Sequence, residues 1–281
     1  MNNFDYETFF LNALNEDIQK GDYTTLACVD KTSYGKAQLI AKQNGIIAGI
    51  NVIKKFYLFY SKNFSIKTFY NDGDVIAKGD IIFEISGKSQ DILSTERIAL
   101  NILQRMSGIA TTTKMYVIET VGTKAKVLDT RKTTPGFRFL EKEAVRIGGG
   151  VNHRFGLFDM IMIKDNHIDF AGGIEKAIKK TKKYLSDNNL NLKIEIEARN
   201  FDEIKEIIKI GGINRIMIDN FSPDDCKKAV EIINGKYETE ASGGITIETI
   251  KDYAKTGVDF ISVGALTHNY KSLDLSLKAV K

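Results

Sequence analysis

Cysteine is scarce in this chain of 281 residues: Cys28 and Cys226 are the two it has, and no CxxC pair occurs. That excludes a disulfide framework and a structural zinc site, both of which need clustered cysteines. Long apolar runs are also lacking. None approaches the roughly 18 to 20 residues that a membrane-spanning helix needs. The opening "MNNFDYETFFLNALNEDIQKGD" is amphipathic and acidic, with no charged segment leading into an apolar core, so it does not read as a secretory signal. A cytoplasmic protein is the simplest expectation. Charge of one sign is not in large excess either, with 40 Lys plus Arg against 36 Asp plus Glu. Such a balance gives no warrant for a nucleic-acid partner, and basic groups matter here only through where they cluster. What remains is a composition ordinary for a globular enzyme, 43% hydrophobic and 27% charged, and a length that buries a sizeable core.

From about residue 125 the sequence alternates. Strand-like runs "KVLDT", "DMIMIK", "LKIEIEA", "RIMID", "YETEAS" and "DFISVG" are separated by segments of helical periodicity. Those are "FLEKEAVRIG", "GIEKAIKKTKKYL", "FDEIKEIIKIG", "PDDCKKAVEII" and "TIETIKDYAKTG". Units of roughly 20 to 30 residues, each a short strand and a helix, predict an α/β arrangement on a parallel sheet. No Gly-rich dinucleotide fingerprint follows the first strand, so a barrel is preferred to a doubly wound sheet. The first 108 residues lack this rhythm. "AQLIAK", "SIKTFY" and "IIFEIS" read as strands and "ILSTERIALNILQRM" as a helix, which predicts a separate α+β domain over 1–108. "SGIATTTK" is expected to hinge it to the barrel, over 109–267.

In a parallel βα barrel the chemistry gathers at the carboxyl ends of the strands. Those ends read "DTRK", "IKDNH", "EIEARN", "IDN", "ASGG" and "SVGALTH". One polar loop is unremarkable as a solvated turn; six in succession predict one polar mouth. Basic groups lie on the first strands: Arg131, Lys132 and Lys164, joined by His153 and Arg154 from the glycine-rich "GGGVNHRFG". His167 reads equally well as structural. Glu195 and Glu197 stand two apart on one strand, so both point to the same side, and Asp219 ends the next strand. One of these acids can pair with a local lysine, or together they can serve a substrate's hydroxyls and a bound Mg²⁺. The last two loops offer the backbone of Ser242, Gly243, Gly244 and Gly264, with His268 close by, as a phosphate site. Pattern and spacing thus predict a phosphorylated ligand, a second anion and acids between them. They do not name a reaction.

The long motif "DTRKTTPGFRFLEKEAVRIGGGVNHRFGLFDMIMIKDNH" closely resembles the core of the quinolinate phosphoribosyltransferase family, also called nicotinate-nucleotide pyrophosphorylase (carboxylating). "EDIQKGDYTT", "ERIALNILQRMSGIATTT", "IEIEARN", "IMIDN", "ASGGIT" and "GVDFISVGALTH" follow in the family's order, so the likeness covers almost the whole chain. The resemblance implies a pentosyltransferase of NAD biosynthesis. It would move phosphoribosyl from phosphoribosyl pyrophosphate to quinolinate, with decarboxylation, giving nicotinate mononucleotide, pyrophosphate and CO₂. It implies an incomplete (β/α) barrel beside an N-terminal sandwich domain, with the tail 268–281 packed back on that domain. It also implies a homo-oligomer, dimer or hexamer, whose active sites are shared, with Arg97 lent to the neighbouring subunit. Carried over residue by residue, Arg97, Arg131, His153, Arg154 and Lys164 would bind quinolinate. Lys132, Glu195, Asp219, Ser242, Gly243, Gly244, Gly264 and His268 would bind phosphoribosyl pyrophosphate. Lys132, Lys164, Glu195 and Asp219 would carry catalysis, with Glu195 and Asp219 toward Mg²⁺, directly or indirectly, and no organic cofactor. Two rivals remain at this stage: a paralogue associated with molybdate uptake, and a non-catalytic barrel that binds a phosphorylated metabolite. A third, nicotinate phosphoribosyltransferase, has a substrate with one carboxylate and no decarboxylation.

Overall fold

The computed structural model describes residues 4–280, which fall into two compact units. Within that range, one unit takes residues 4–114, 134–149 and 269–280, and the other 115–133 and 150–268. The chain thus passes between the units more than once, and the tail joins the first unit. Residues 134–149, with their helix Arg138–Ile147, belong with the first unit rather than with the barrel.

In the first unit, strands β1 (Tyr34–Ala41), β3 (Ser65–Thr68), β5 (Ile81–Lys88) and β12 (Leu275–Val280) form an antiparallel sheet in the order β12-β1-β5-β3. Strands β2 (Gly45–Ile46) and β4 (Val75–Ile76) pair separately. The tail is thus a structural strand, with Lys36 opposite Val280 and Ala41 opposite Leu275. Alternation along β1 sends Ala37, Leu39 and Ala41 into the core. The helix Ile50–Tyr60 buries Ile50, Ile53, Phe56 and Tyr57. The Asp72 carboxylate accepts the N–H groups of Gly49, Ile50 and Asn51, which satisfies donors that a helix start leaves open.

The segment expected to be a hinge is not one. "SGIATTTK" lies inside the helix Ser89–Glu119, which runs unbroken for 31 residues. Its polar residues have local packing reasons. Ser107 donates to the Ala48 carbonyl and accepts the Ala48 N–H, while Thr113 donates to the carbonyl of Ile109 one turn back. A Cβ on Gly108 would stand 2.2 Å from the Lys271 carbonyl oxygen, so glycine here permits close backbone approach.

The second unit carries β6 (Lys126–Leu128), β7 (Ile161–Ile163), β8 (Ile194–Ala198), β9 (Arg215–Asp219), β10 (Glu238–Ser242) and β11 (Phe260–Ser262). All six are parallel, in the order β6-β11-β10-β9-β8-β7, an incomplete barrel with β6 and β7 at its edges. The helices between them cap as their sequences direct. Asn200 and Ser222 accept the N–H groups of Glu203 and Asp225, and Pro223 opens its helix where no N–H is missed. Ile204, Ile207, Ala229 and Ile233 turn the apolar faces inward.

Register sorts the opposite strand faces into layers. Glu195 lies opposite Arg215, Glu197 and Glu240 both opposite Met217, and Asp219 opposite Ser242. Residues two apart share a face, so Asp219 and Ser242 stand at the carboxyl ends with Glu240 one step below. Among the described residues no helix is long and apolar enough to cross a membrane.

Candidate active site

A cavity of about 830 Å³ opens at the carboxyl ends of these strands, entirely within the second unit. Most of its lining comes from the strand ends and the loops that follow them. Beyond β6, Asp129 is fully buried and its carboxylate accepts the His153 N–H at 2.8 Å. Thr130, Arg131 and Lys132 then turn into the cavity. The turn is held by the Lys132 N–H donating to the Thr130 hydroxyl and by the Thr267 hydroxyl donating to the Lys132 carbonyl at 2.8 Å.

The loop before β7 brings His153 and Arg154. Arg154 donates to the Met160 carbonyl, and Asp159 accepts the N–H groups of Phe155 and Gly156. Burial and the neighbouring Arg131 guanidinium hold Arg154 below the ordinary arginine pKa. The two guanidiniums therefore share the cavity closely enough to repel, and an anion entering between them would relieve both.

Lys164 follows β7 and places its ammonium 3.3 Å from Glu197. His167 proves structural: its Nδ1 accepts the Lys164 N–H at 2.9 Å and closes the first turn of the helix Asp165–Ala171. Glu197, on β8, has its pKa raised by burial, with Asp219 adding to the rise and Lys164 opposing it. Glu197, Asp219 and Asp165 thus present oxygen ligands to the same cavity.

The opposite wall is glycine. Asn220 takes a left-handed backbone at φ 59, gives its N–H to the Ser242 carbonyl at 2.9 Å and its amide to Asp219. A Cβ on Gly243, at φ +100, would lie 2.2 Å from the Asn220 Oδ1, so no other residue fits without moving the loop. A Cβ on Gly264 would meet Lys132 Cδ at 3.0 Å and His268 Nε2 at 3.1 Å, so that glycine leaves room for both.

Of the residues expected at the mouth, Arg131, Lys132, His153, Arg154, Lys164, Asp219, Ser242, Gly243, Gly244, Gly264 and His268 all line this cavity. Glu195 does not. It is fully buried, with Oε2 3.0 Å from His153 Nε2 and 3.9 Å from the Arg215 guanidinium, and this corrects its expected place beside Mg²⁺. The reason is depth along the strand: Glu197 is two residues nearer the carboxyl end and takes the position at the mouth. Arg97 is exposed on the helix Ser89–Glu119 of the other unit and is not among the residues lining this cavity. The lining also includes Thr130, Asp165, Asn220, Glu240 and Thr246, which the sequence reading passed over. Glu240 was within reach of the rule applied to Glu195 and Glu197, since "ETEAS" repeats the same spacing.

The residues fit a hard divalent cation. Glu197 and Asp219 are paired carboxylates whose mutual repulsion such an ion would neutralise, and oxygen is the donor that Mg²⁺ prefers. His153 with Glu195 and Glu240 is the one group of three such side chains, among the described residues, that is spaced closely enough to hold a metal. There the Arg215 guanidinium, 2.8 Å from Glu240, already supplies the positive charge.

Residues 22–107 match the family model for the quinolinate phosphoribosyl transferase N-terminal domain, and residues 109–278 match that for its C-terminal domain. The chain belongs to the quinolinate phosphoribosyltransferase family. The chain is 42% identical over 290 residues to the quinolinate phosphoribosyltransferase (decarboxylating) 2, mitochondrial, of Nicotiana glauca, covering 98% of this chain and 82% of that one. The nicotinate-nucleotide pyrophosphorylase structure from Francisella tularensis superposes with a TM-score of 0.92 at 42% identity, over 98% of this chain and 96% of that chain. NadC from Streptococcus pyogenes gives 0.93 at 37% identity, covering 100% and 99%. Family and fold therefore agree with the resemblance read from the motifs.

Proposed function

We propose that the protein is a nicotinate-nucleotide pyrophosphorylase (carboxylating), which joins quinolinate to the phosphoribosyl group of phosphoribosyl pyrophosphate. One observation carries the reading beyond family membership. Arg131 and Arg154 lie close together in the cavity, which glycine loops and carboxylates also line. A pyridine with two adjacent carboxylates suits two guanidiniums, each a planar donor that matches a carboxylate.

In this reading Arg131, Arg154 and Lys164 grip quinolinate, with His153 supporting the loop and Arg97 of the partner subunit completing the pocket. The N–H groups of Gly243, Gly244 and Gly264, with Ser242 and His268, receive the 5′-phosphate. Glu197 and Asp219 take the ribose hydroxyls and would hold Mg²⁺, which when bound would neutralise charge on the pyrophosphate. Lys132 and Lys164 stabilise the negative charge that gathers on pyrophosphate as it leaves. The quinolinate nitrogen, held in line by the two anion sites, adds its lone pair to the anomeric carbon as the bond to pyrophosphate oxygen breaks. The nitrogen is then quaternary and positive. Its positive charge stabilises the electron pair left on the adjacent ring carbon when the carboxylate there leaves as CO₂, and that carbon then takes a proton from solvent. No side chain needs to act as a nucleophile.

The test is direct. Purified protein with Mg²⁺, quinolinate and phosphoribosyl pyrophosphate is expected to release CO₂ and form nicotinate mononucleotide. Turnover of nicotinate without turnover of quinolinate would reject the reading.

A further inference from the structure

The interior of a parallel barrel is ordinarily filled by branched apolar side chains. Here two carboxylates sit directly beneath the mouth, Glu195 from β8 and Glu240 from β10, both fully buried. The His153 Nε2 comes down between them, 3.0 Å from Glu195 and 3.3 Å from Glu240. Below, Arg215 reaches up from the start of β9 to Glu240 at 2.8 Å and stacks on the Phe260 ring at 4.0 Å. A buried ionic group of this kind is a poor source of stability, because desolvation offsets most of the attraction. A role in holding the mouth accounts for it better.

We propose that Glu240, together with Glu195, is a positioning residue for the quinolinate pocket, seating the His153 ring from inside the barrel and through it fixing Arg154. The inference rests on the functional reading given above. His153 is clamped twice, by the carboxylates at its ring and by Asp129 at its backbone N–H. Arg154 is the next residue, and its backbone nitrogen lies 2.6 Å from the His153 Nδ1. Rotation of the ring would therefore break the bond that holds the Arg154 backbone in place. Glu240 also bonds the Ser262 side chain at the end of β11, but neither acid is bonded to the glycine loops themselves or to the Glu197–Asp219 pair among the described residues, so the larger effect is expected on quinolinate.

The experiment compares wild type, Glu240→Gln, Glu195→Gln, His153→Ala and the double variant Glu240→Gln/His153→Ala in steady-state kinetics with both substrates. Glu240→Gln is expected to raise the KM for quinolinate about tenfold and leave that for phosphoribosyl pyrophosphate within about twofold. Because it acts through the imidazole, it is expected to add nothing in the His153→Ala background. Glu195→Gln carries the same expectation if Glu240→Gln does not fold. The inference is overturned if both KM values move together, if neither moves, if the two substitutions add, or if neither acid variant folds. These outcomes require a wild type that turns over quinolinate. A wild type that does not would reject the functional reading itself.

Discussion

The two arginines of the mouth show how little room a charged binding residue has for replacement. Arg131 and Arg154 stand close enough to depress the pKa of Arg154, so each is poised for an anion and costly to leave without one. Arg131→Ala or Arg154→Ala is expected to weaken quinolinate binding by about 2 to 4 kcal/mol, measured by calorimetry or from the KM. Lysine at either position is expected to recover only part of the loss, because a point charge cannot pair two oxygens at once. A second expectation concerns pH. Burial lowers the His153 pKa, but the Glu195 and Glu240 carboxylates outweigh it and raise the value to about 9. With two carboxyls and one guanidinium in the interior, the cluster keeps one further proton on folding. A raised pKa stabilises the fold fully below the unfolded histidine value of about 6.5, and that contribution is lost as pH rises through about 9. Denaturant unfolding from about pH 6 to 9.5 is therefore expected to show stability falling across this window, and His153→Gln, which leaves the extra proton to the Glu195 carboxyl, is expected to move the fall to lower pH.

At the scale of elements, most of the barrel was legible because two periods alternate cleanly along the sequence. Each of the six strand runs contains an observed strand, and the helices fall between them. The mouth was legible for the same reason, since strand ends can be located from the runs before them. Depth along a strand was not. Glu195 and Glu197 share a face, and the sequence does not show that Glu195 lies a step deeper, opposite Arg215, while Glu197 lies opposite Met217 and lines the cavity. The long helix was misread because serine, glycine and threonines in series imitate a linker. Their partners, Ala48 and Lys271, are far away in sequence. That misreading leads to a prediction. If glycine at 108 serves close packing, Gly108→Ala is expected to destabilise the fold by about 1 to 3 kcal/mol in denaturant unfolding, as overpacking does. A flexible hinge would instead tolerate alanine, or gain a few tenths of a kcal/mol from its helix propensity.

At the scale of the whole molecule, the proposed lending of Arg97 between subunits has its own test. Two guanidiniums line the cavity of the second unit, while Arg97 is exposed on the helix Ser89–Glu119 in the first. If Arg97 completes the pocket of a neighbouring subunit, then Arg97→Ala spoils the site to which it is lent and spares its own chain's Lys132. Lys132→Ala spoils its own cavity and still lends a sound Arg97. Neither variant alone is then expected to be active. In a mixed dimer, one of the two sites receives Lys132 from the Arg97→Ala chain and Arg97 from the Lys132→Ala chain, and that site is intact. With random exchange of equal amounts, about half of the dimers are mixed and each has one working site of two, so about one quarter of wild-type activity is expected. Co-expression of the two variants ensures exchange, and native mass spectrometry counts the mixed dimers independently of turnover. Mixed dimers present in that proportion without restored activity would show that each site is built from a single chain.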